Sequence, residues 1–348
     1  MGEIIFDRIE SEVRFLNPLK EFSEEVHRIE IRRDPLLGDV SVYNPYLKDK
    51  ATAFFGKSDP ELIKRLVEES ERNCFFCGEK VEKGTPRFPS DLIPEGHLKI
   101  GEAILFPNLF SLGTYHPVVC LCKSHFLKLS EFNPELVANG LCVAQDFLKI
   151  IYARDPSAVF TAVTANYLFP AGASLVHPHM QMLTTPVPYS YLARLASAGN
   201  LYYREKGSSY FTDLIGAEKG GPRDIARSGH WQWLVSFSPM GSNEVTAIHG
   251  TEDDYGLLSV ADLNDLAYGI SRVLAFYEDL GHLSFNYALY SVRKNRGISG
   301  WRCLFKIITR QNLYANYRND DYFLQKLLQS ELIITPPEEL AIGLRSYF

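Results

Sequence analysis

The chain lacks the marks of several protein classes. Lys and Arg number 36 against 42 Asp and Glu, a formal net charge of −6. A nucleic-acid partner held by phosphate neutralisation calls for the opposite balance. There is no long apolar run and no basic-then-apolar N-terminus, so neither a membrane span nor a secretory signal is expected. Cysteine is scarce, and 6 in 348 residues do not make a disulfide scaffold. The expected compartment is the cytosol, where thiols stay reduced and open to metals. The remaining composition, 46% hydrophobic and 22% charged, is that of an ordinary globular chain. Its length suggests two domains or one large one.

Hydrophobic patterning gives the element types. In RIEIRRDPLLGDVSVYNP, Ile29 and Ile31 alternate with charges, Asp34-Pro35 and Gly38 mark a turn, and Val40 and Val42 alternate again. A helix-prone segment from Asp59 to Arg72 leads into NCFFC. EAILFPNLFSLGTYHPVVCLC reads as two strands with a turn around Gly113. Asn133-Pro134 is a helix N-cap followed by proline at the first helical position. Val137, Leu141, Ala144, Leu148 and Ile151 continue the stripe of an amphipathic helix, and Asp155-Pro156 ends it. AVFTAVTANYLF is then a strand.

The second half repeats this order. HWQWLVSFSP and NEVTAIHG are strands, and Ser259 with Asp262 makes a capping-box start. Leu263, Leu266, Ile270, Val273 and Tyr277 form a helical stripe, with Gly281 where a C-terminal cap belongs. LSFNYALYS and WRCLFKIIT are strands. The first helix leads to Asn166-Tyr167 and the second to Asn286-Tyr287. The expectation is an internal duplication of α+β class, antiparallel strands with helices on one side, divided as 1–190 and 191–348. The second copy keeps the fold without the histidine motif.

Two motifs carry chemistry. Cys74 and Cys77 form a CxxC with Gly78 behind it, a spacing at which two thiolates can hold one tetrahedral zinc. A reduced pair or a redox dithiol is the alternative. The missing ligands have His125 and His177 as candidates. Cys120 and Cys122 alternate with apolar residues and suit buried strand positions. In SLVHPHMQ, His177, His179 and Gln181 fall at i, i+2 and i+4, one face of an extended segment. Three polar side chains on one face suit a site better than a core. A neutral imidazole at position 179 is a competent nucleophile toward phosphorus, provided its other ring nitrogen donates to a carbonyl. The Gln181 amide can stabilise charge on a phosphate oxygen. PAGAS, just upstream, offers backbone N–H groups and the Ser174 hydroxyl as a phosphate cradle. Both histidines could instead be metal ligands or loop residues.

These motifs resemble those of the galactose-1-phosphate uridylyltransferase family, a branch of the histidine-triad superfamily. HPHMQ is similar to its HPHxQ signature, NCFFC to its zinc CxxC, and EIRRDPLLGD to its N-terminal R-x-DP-x-xG segment. LFPNLFSLGTYHPVVCLCKSHFLKLSEF resembles its nucleoside-binding strand pair, and WQWLVSFSP and TPPEELAIGLR also match. The resemblance implies two tandem histidine-triad-like domains and a homodimer whose sites draw on both chains. It implies one structural zinc on Cys74, Cys77, His125 and His177, with His179 as nucleophile and Gln181 as its phosphoryl partner. Arg32, Arg33, Asn108, Asn166 and Ser174 are the candidate substrate contacts. The implied activity transfers a nucleoside monophosphate from a UDP- or ADP-hexose to a sugar 1-phosphate. ADP-glucose phosphorylase-like relatives use inorganic phosphate instead, and a non-catalytic nucleotide-binding protein is a third reading. Met180 departs from the small residue usual before the glutamine. No histidine-rich second metal site is expected in the C-terminal half.

Overall fold

A computed structural model describes residues 2–50 and 54–348. Among the described residues, fourteen strands form two sheets. Strands β1 (Asp7–Asn17), β2 (Ser23–Arg33) and β3 (Val40–Tyr43) open the chain. β4 (Leu98–Ile100), β5 (Ala103–Pro107) and β6 (Pro117–Cys120) follow. After a long helix, Pro134–Arg154, come β7 (Phe160–Tyr167) and β8 (His179–Thr185). The second half runs β9 (Asp224–Ser228), β10 (Trp231–Val235), β11 (Val245–His249), a long helix Val260–Asp279, β12 (Phe285–Val292) and β13 (Leu304–Thr309). β14 (Ser330–Ile333) and the helix Pro337–Leu344 end it.

The large sheet has ten strands in the order β4-β5-β6-β8-β7-β12-β13-β11-β10-β9. Read outward from the centre, each side has the same pattern of sequence order, and in each side the long helix falls between the third and fourth strands. The repeat of elements is therefore present in the connectivity. β7 and β12 pair antiparallel across the middle, with Asn166 opposite Asn286.

The expected helix ends hold. Asn133 accepts a hydrogen bond from Leu136 N–H at 2.9 Å. Ser259 and Asp262 close a reciprocal capping box. Gly281 takes a left-handed φ of 84°, which a side chain would resist. The two long helices pack on each other and on one face of the large sheet. Gln145 of the first ties it to the turn that leads into the second, donating to the Tyr255 and Leu258 carbonyls at 2.7 Å each. Close approach uses glycine: a Cβ at Gly269 would lie 2.0 Å from the Trp233 ring, which Ser228 Oγ holds through the indole N–H. Pro134–Arg154 is long and apolar enough to cross a membrane. Here Val137, Leu141, Ala144, Leu148 and Ile151 are buried in the core.

Several elements have no counterpart in the sequence reading: β1, β4, β9, β14 and the helices Ser190–Lys206 and Tyr210–Glu218. The small sheet, β1-β2-β3-β14, sits on the second half of the chain. Arg32 donates to both carboxylate oxygens of Glu338 at 3.0 Å and to the Phe237 carbonyl at 3.3 Å. Arg223 reaches the same carboxylate at 3.0 Å. The Ser41 and Ser238 hydroxyls meet at 2.9 Å, and Asp59 N–H donates to the Leu313 carbonyl.

Glu338 is the carboxylate shared by Arg32, Arg223 and Arg8, while Glu30 also pairs with Arg32 and Glu218 with Arg223. Burial raises the Glu338 pKa, but Arg32 and Arg223 outweigh burial and bring it down to about 2. A depressed carboxylate pKa contributes stability that is full above the ordinary value of 4.5 and lost as pH falls through about 2. Glu338→Gln should therefore lower stability at neutral pH, with the gap to wild type closing on acidification across that window. Urea unfolding at several pH values measures it, and a gap independent of pH would refute the assignment.

Candidate active site

The CxxC loop, the segment after β6 and the start of β8 converge on one side of the sheet. Cys74, Cys77, His125 and His177 bring one ligand atom each within 4.8 Å of all the others. Cys77 Sγ lies 3.3 Å from His125 Nδ1 and 3.4 Å from His177 Nδ1, and Cys74 Sγ lies 3.7 Å from His177 Nδ1. Two such atoms bound tetrahedrally to one ion are about 3.5 Å apart. The outer nitrogens are also arranged for this. Ser70 Oγ donates to the Val67 carbonyl at 3.1 Å, so it accepts from His125 Nε2–H at 2.8 Å. His177 Nε2 donates to the Cys122 carbonyl at 2.7 Å. Both rings therefore present an unprotonated Nδ1 to the thiols. Burial, then Cys74, pushes the Cys77 thiol up to about 12, and burial brings His177 down to about 4. The raised Cys77 thiol beside two neutral imidazoles suits a divalent cation, whose charge reverses the thiol preference. The four residues fit a metal ion and leave no open position among themselves.

His179 opens β8 two residues on. Its Nδ1 donates to the His177 carbonyl at 2.8 Å, which leaves Nε2 with a free lone pair. It is 8% exposed, and burial lowers its pKa, so the ring is neutral. Phe76, between the two cysteines, touches both histidine rings edge-on, with centroids at 5.8 and 5.7 Å. His177 of the Cys2His2 cluster and the candidate nucleophile are thus packed against one aromatic ring.

Gln181 lies opposite Val118 of β6. Its Oε1 accepts from His116 Nε2 at 2.7 Å and from Asn108 Nδ2 at 3.2 Å. Asn108, expected as a substrate contact, is therefore beside the motif. His116 is a residue the sequence reading passed over. A signal was available: it stands two residues before Val118, so in an extended segment paired with the HPHMQ strand the two share a face. Met180 faces the other way, fully buried beneath the first long helix, where Gly140 leaves room for it. The larger residue thus occupies the core side and leaves the His179 face unchanged.

The other candidates are spread more widely. Ser174 is exposed in the loop before His177. The backbone cradle expected there is not open: Ala171 and Ala173 N–H donate to the Leu168 carbonyl and Gly172 N–H to that of Phe169. The turn closes on itself because Leu168 has a φ of 65°. Asn166 Oδ1 accepts from Asn286 at 2.7 Å at the central strand pair. Arg32 is committed to Glu338, and Arg33 is exposed with Asp7 3.9 Å away. Neither has a contact with His179 or Gln181 among those described.

A second group, His230, His249 and Asp262, also gathers within 4.8 Å, where no such cluster was expected in the C-terminal half. His249 Nδ1 accepts the Glu252 N–H at 2.8 Å, so its proton is on Nε2, 3.2 Å from the Asp262 carboxylate. That tautomer turns the protonated nitrogen toward the helix-capping aspartate and takes away the lone pair a metal needs.

Fold and site together define a two-halved α+β protein with a histidine centre beside a Cys2His2 cluster. The chain has the fold of the galactose-1-phosphate uridylyltransferase family, ADP-glucose phosphorylase-like relatives included. The ADP-glucose phosphorylase of Arabidopsis thaliana with bound ADP-glucose aligns over 91% of this chain and 98% of its own, with a TM-score of 0.70 and 17% identity. A GalT-like protein from the same plant gives 0.68 over 90% and 98% at 16% identity. A uridylyltransferase gives 0.65 over 91% and 98% at 17%. An uncharacterized protein of Archaeoglobus fulgidus is 29% identical over 323 residues, 92% of this chain and 93% of that one. No family model matches the chain.

Ser70 tests the outer arrangement of the metal cluster. Ser70→Ala removes the acceptor that orients His125 and should weaken metal retention about 10- to 100-fold. Competition with a chromogenic chelator reads this directly. Retention equal to wild type would mean that His125 needs no such support.

Proposed function

We propose that the chain is a nucleotidyltransferase that moves a nucleoside monophosphate from a UDP- or ADP-hexose to a sugar 1-phosphate through a covalent nucleotidyl-His179 intermediate. The observation that carries this is the His179 Nδ1 bond to the His177 carbonyl, which fixes Nε2 as the free nitrogen. The Nε2 lone pair attacks the α-phosphorus and a P–N bond forms. The bond from phosphorus to the bridging oxygen breaks, and its electron pair leaves with the sugar 1-phosphate. The His177 carbonyl, still accepting from Nδ1, stabilises the cationic ring that results. A phosphate oxygen of the acceptor then attacks the same phosphorus and the P–N bond breaks. Two displacements give net retention and ping-pong kinetics. Gln181 stands on the same strand as His179, and His116 and Asn108, from the loop between β5 and β6, reach its amide.

Cys74, Cys77, His125 and His177 would hold a structural zinc, whose chemistry is to clamp three segments of chain. His177 belongs to both that cluster and the backbone that orients His179. The remaining assignments are part of the same proposal: Ser174 and Asn166 toward the nucleotide, and Arg33 or Arg32 toward the acceptor phosphate by bidentate guanidinium pairing. So are a cytosolic homodimer whose sites draw on both chains and a division near residue 190. A phosphorylase reading differs only in the acceptor, inorganic phosphate in place of a sugar 1-phosphate. The phosphorylase of A. thaliana, with its bound ADP-glucose, is a reason to include ADP-sugars as donors.

Intact-protein mass after incubation with UDP- and ADP-hexoses tests the proposal. One nucleotide per chain should appear on the wild type, and the mass of the adduct names the base. Chasing with glucose 1-phosphate, galactose 1-phosphate or inorganic phosphate then names the acceptor. His179→Asn should carry no adduct and lose turnover, with zinc content and melting temperature unchanged. Near-normal transfer by that variant would exclude the covalent route.

A further inference from the structure

We propose that His116 is a positioning residue whose task is to set which end of the Gln181 amide faces the reacting phosphate. This rests on the reading that Gln181 stabilises the phosphoryl group. A glutamine amide has two ends of similar shape and opposite polarity. Only the NH2 end favours a phosphate oxygen, and the carbonyl end repels it. Something must decide between them.

The decision is traceable to two backbone groups of the loop before β6. Leu112 N–H donates to His116 Nδ1 at 2.9 Å. A nitrogen that accepts carries no proton, so the ring proton is on Nε2. That Nε2–H points at Gln181 Oε1, 2.7 Å away. In parallel, Phe110 N–H donates to Asn108 Oδ1 at 2.9 Å, which turns the Asn108 NH2 toward Gln181 Oε1 at 3.2 Å. Two donors thus converge on one oxygen, and the Gln181 NH2 is the end left for a ligand. A flipped Gln181 would set its own N–H groups against both donors. The His116 contact is the shorter, and the ring is only 6% exposed, so it has little freedom to turn away. Burial also lowers its pKa, in keeping with the neutral single tautomer that the geometry requires.

The residue does not need to touch substrate for this. Its effect passes through Gln181, which separates it from a general acid or base and from a fold-only histidine. His116→Phe keeps a planar ring and removes the donor. Nucleotidyl transfer to His179 should slow by up to about 100-fold, the scale of a misplaced catalytic group, with KM little changed. His116→Gln, which restores an N–H near the Nε2 position, should recover most of the rate. In a Gln181→Ala background, His116→Phe should slow transfer no further, because the group it orients is gone. Additive losses would overturn the proposal, as would failure of His116→Gln to rescue a folded, zinc-replete protein.

Nitrogen-15 spectra of the His116 ring in the substrate-free wild type give a readout independent of activity. The Nε2–H tautomer is expected, and the Nδ1–H tautomer would overturn the assignment. Absence of any nucleotide adduct on the wild type would count against the transfer reading, while the ring spectra still decide whether His116 presents a donor to Gln181.

Discussion

The pairing of β7 with β12 is the constraint on which the rest of the molecule depends. Each half supplies five strands, and without this ladder each would end in a long open edge of unpaired N–H and C=O groups. Eight residues of each strand pair in register from Phe160–Val292 to Tyr167–Phe285. The sheet therefore continues through the join, and both long helices lie on a single continuous face. That face carries the largest connected core, from Leu105 and Val119 on one side to Trp233 and Phe305 on the other. The opposite face of the first half is left to the histidine centre.

Alternation along β8 is what lets one strand serve both faces. His179 and Gln181 point to the polar side, and Met180 between them points into the core beneath Gly140. The two functions are coupled mechanically: Met180 anchors the strand while its neighbours face the site. Tyr287, from the second half, reaches Met180 Sδ at 3.4 Å, so the joined sheet also supports the strand from the far side. The Cys2His2 cluster gathers just before β8, and Phe76 packs edge-on against the His177 and His179 rings. The candidate site is assembled from the loop at 74–77, the segment at 108–125 and the strand at 177–181, each touching another.

Neutrality of the buried imidazoles follows from the same packing. Burial is the leading cause lowering the pKa of His116, His125, His177 and His179. Each ring has one nitrogen committed to a fixed partner, the Leu112 amide, Ser70, the Cys122 carbonyl and the His177 carbonyl in turn. Uncharged rings with assigned tautomers are what both metal ligation and nucleophilic attack require.

The sequence by itself determined the local elements with strong periodic or capping signals. The helix beginning at Asn133-Pro134, the helix capped by Ser259 and Asp262, and the strands around them follow from backbone chemistry within a few residues. It also determined the compact chemical motif, because HPHMQ and CFFC hold their residues at fixed short spacing. Tertiary structure alone decided the rest. Short edge strands such as β4 and β9 carry little pattern, since three to five residues with one neighbour need not alternate. β14 joins the small sheet as a parallel strand from the far end of the chain, a pairing no local signal encodes. Arg32, a candidate substrate contact in RRDP, pairs with Glu338, 306 residues away, a contact no local signal encodes. His116 gained its meaning only when β6 paired with β8. Periodicity records which face a residue occupies, whereas the identity of the neighbour on that face is set by long-range strand register, and here that register is fixed by burial of the opposite face.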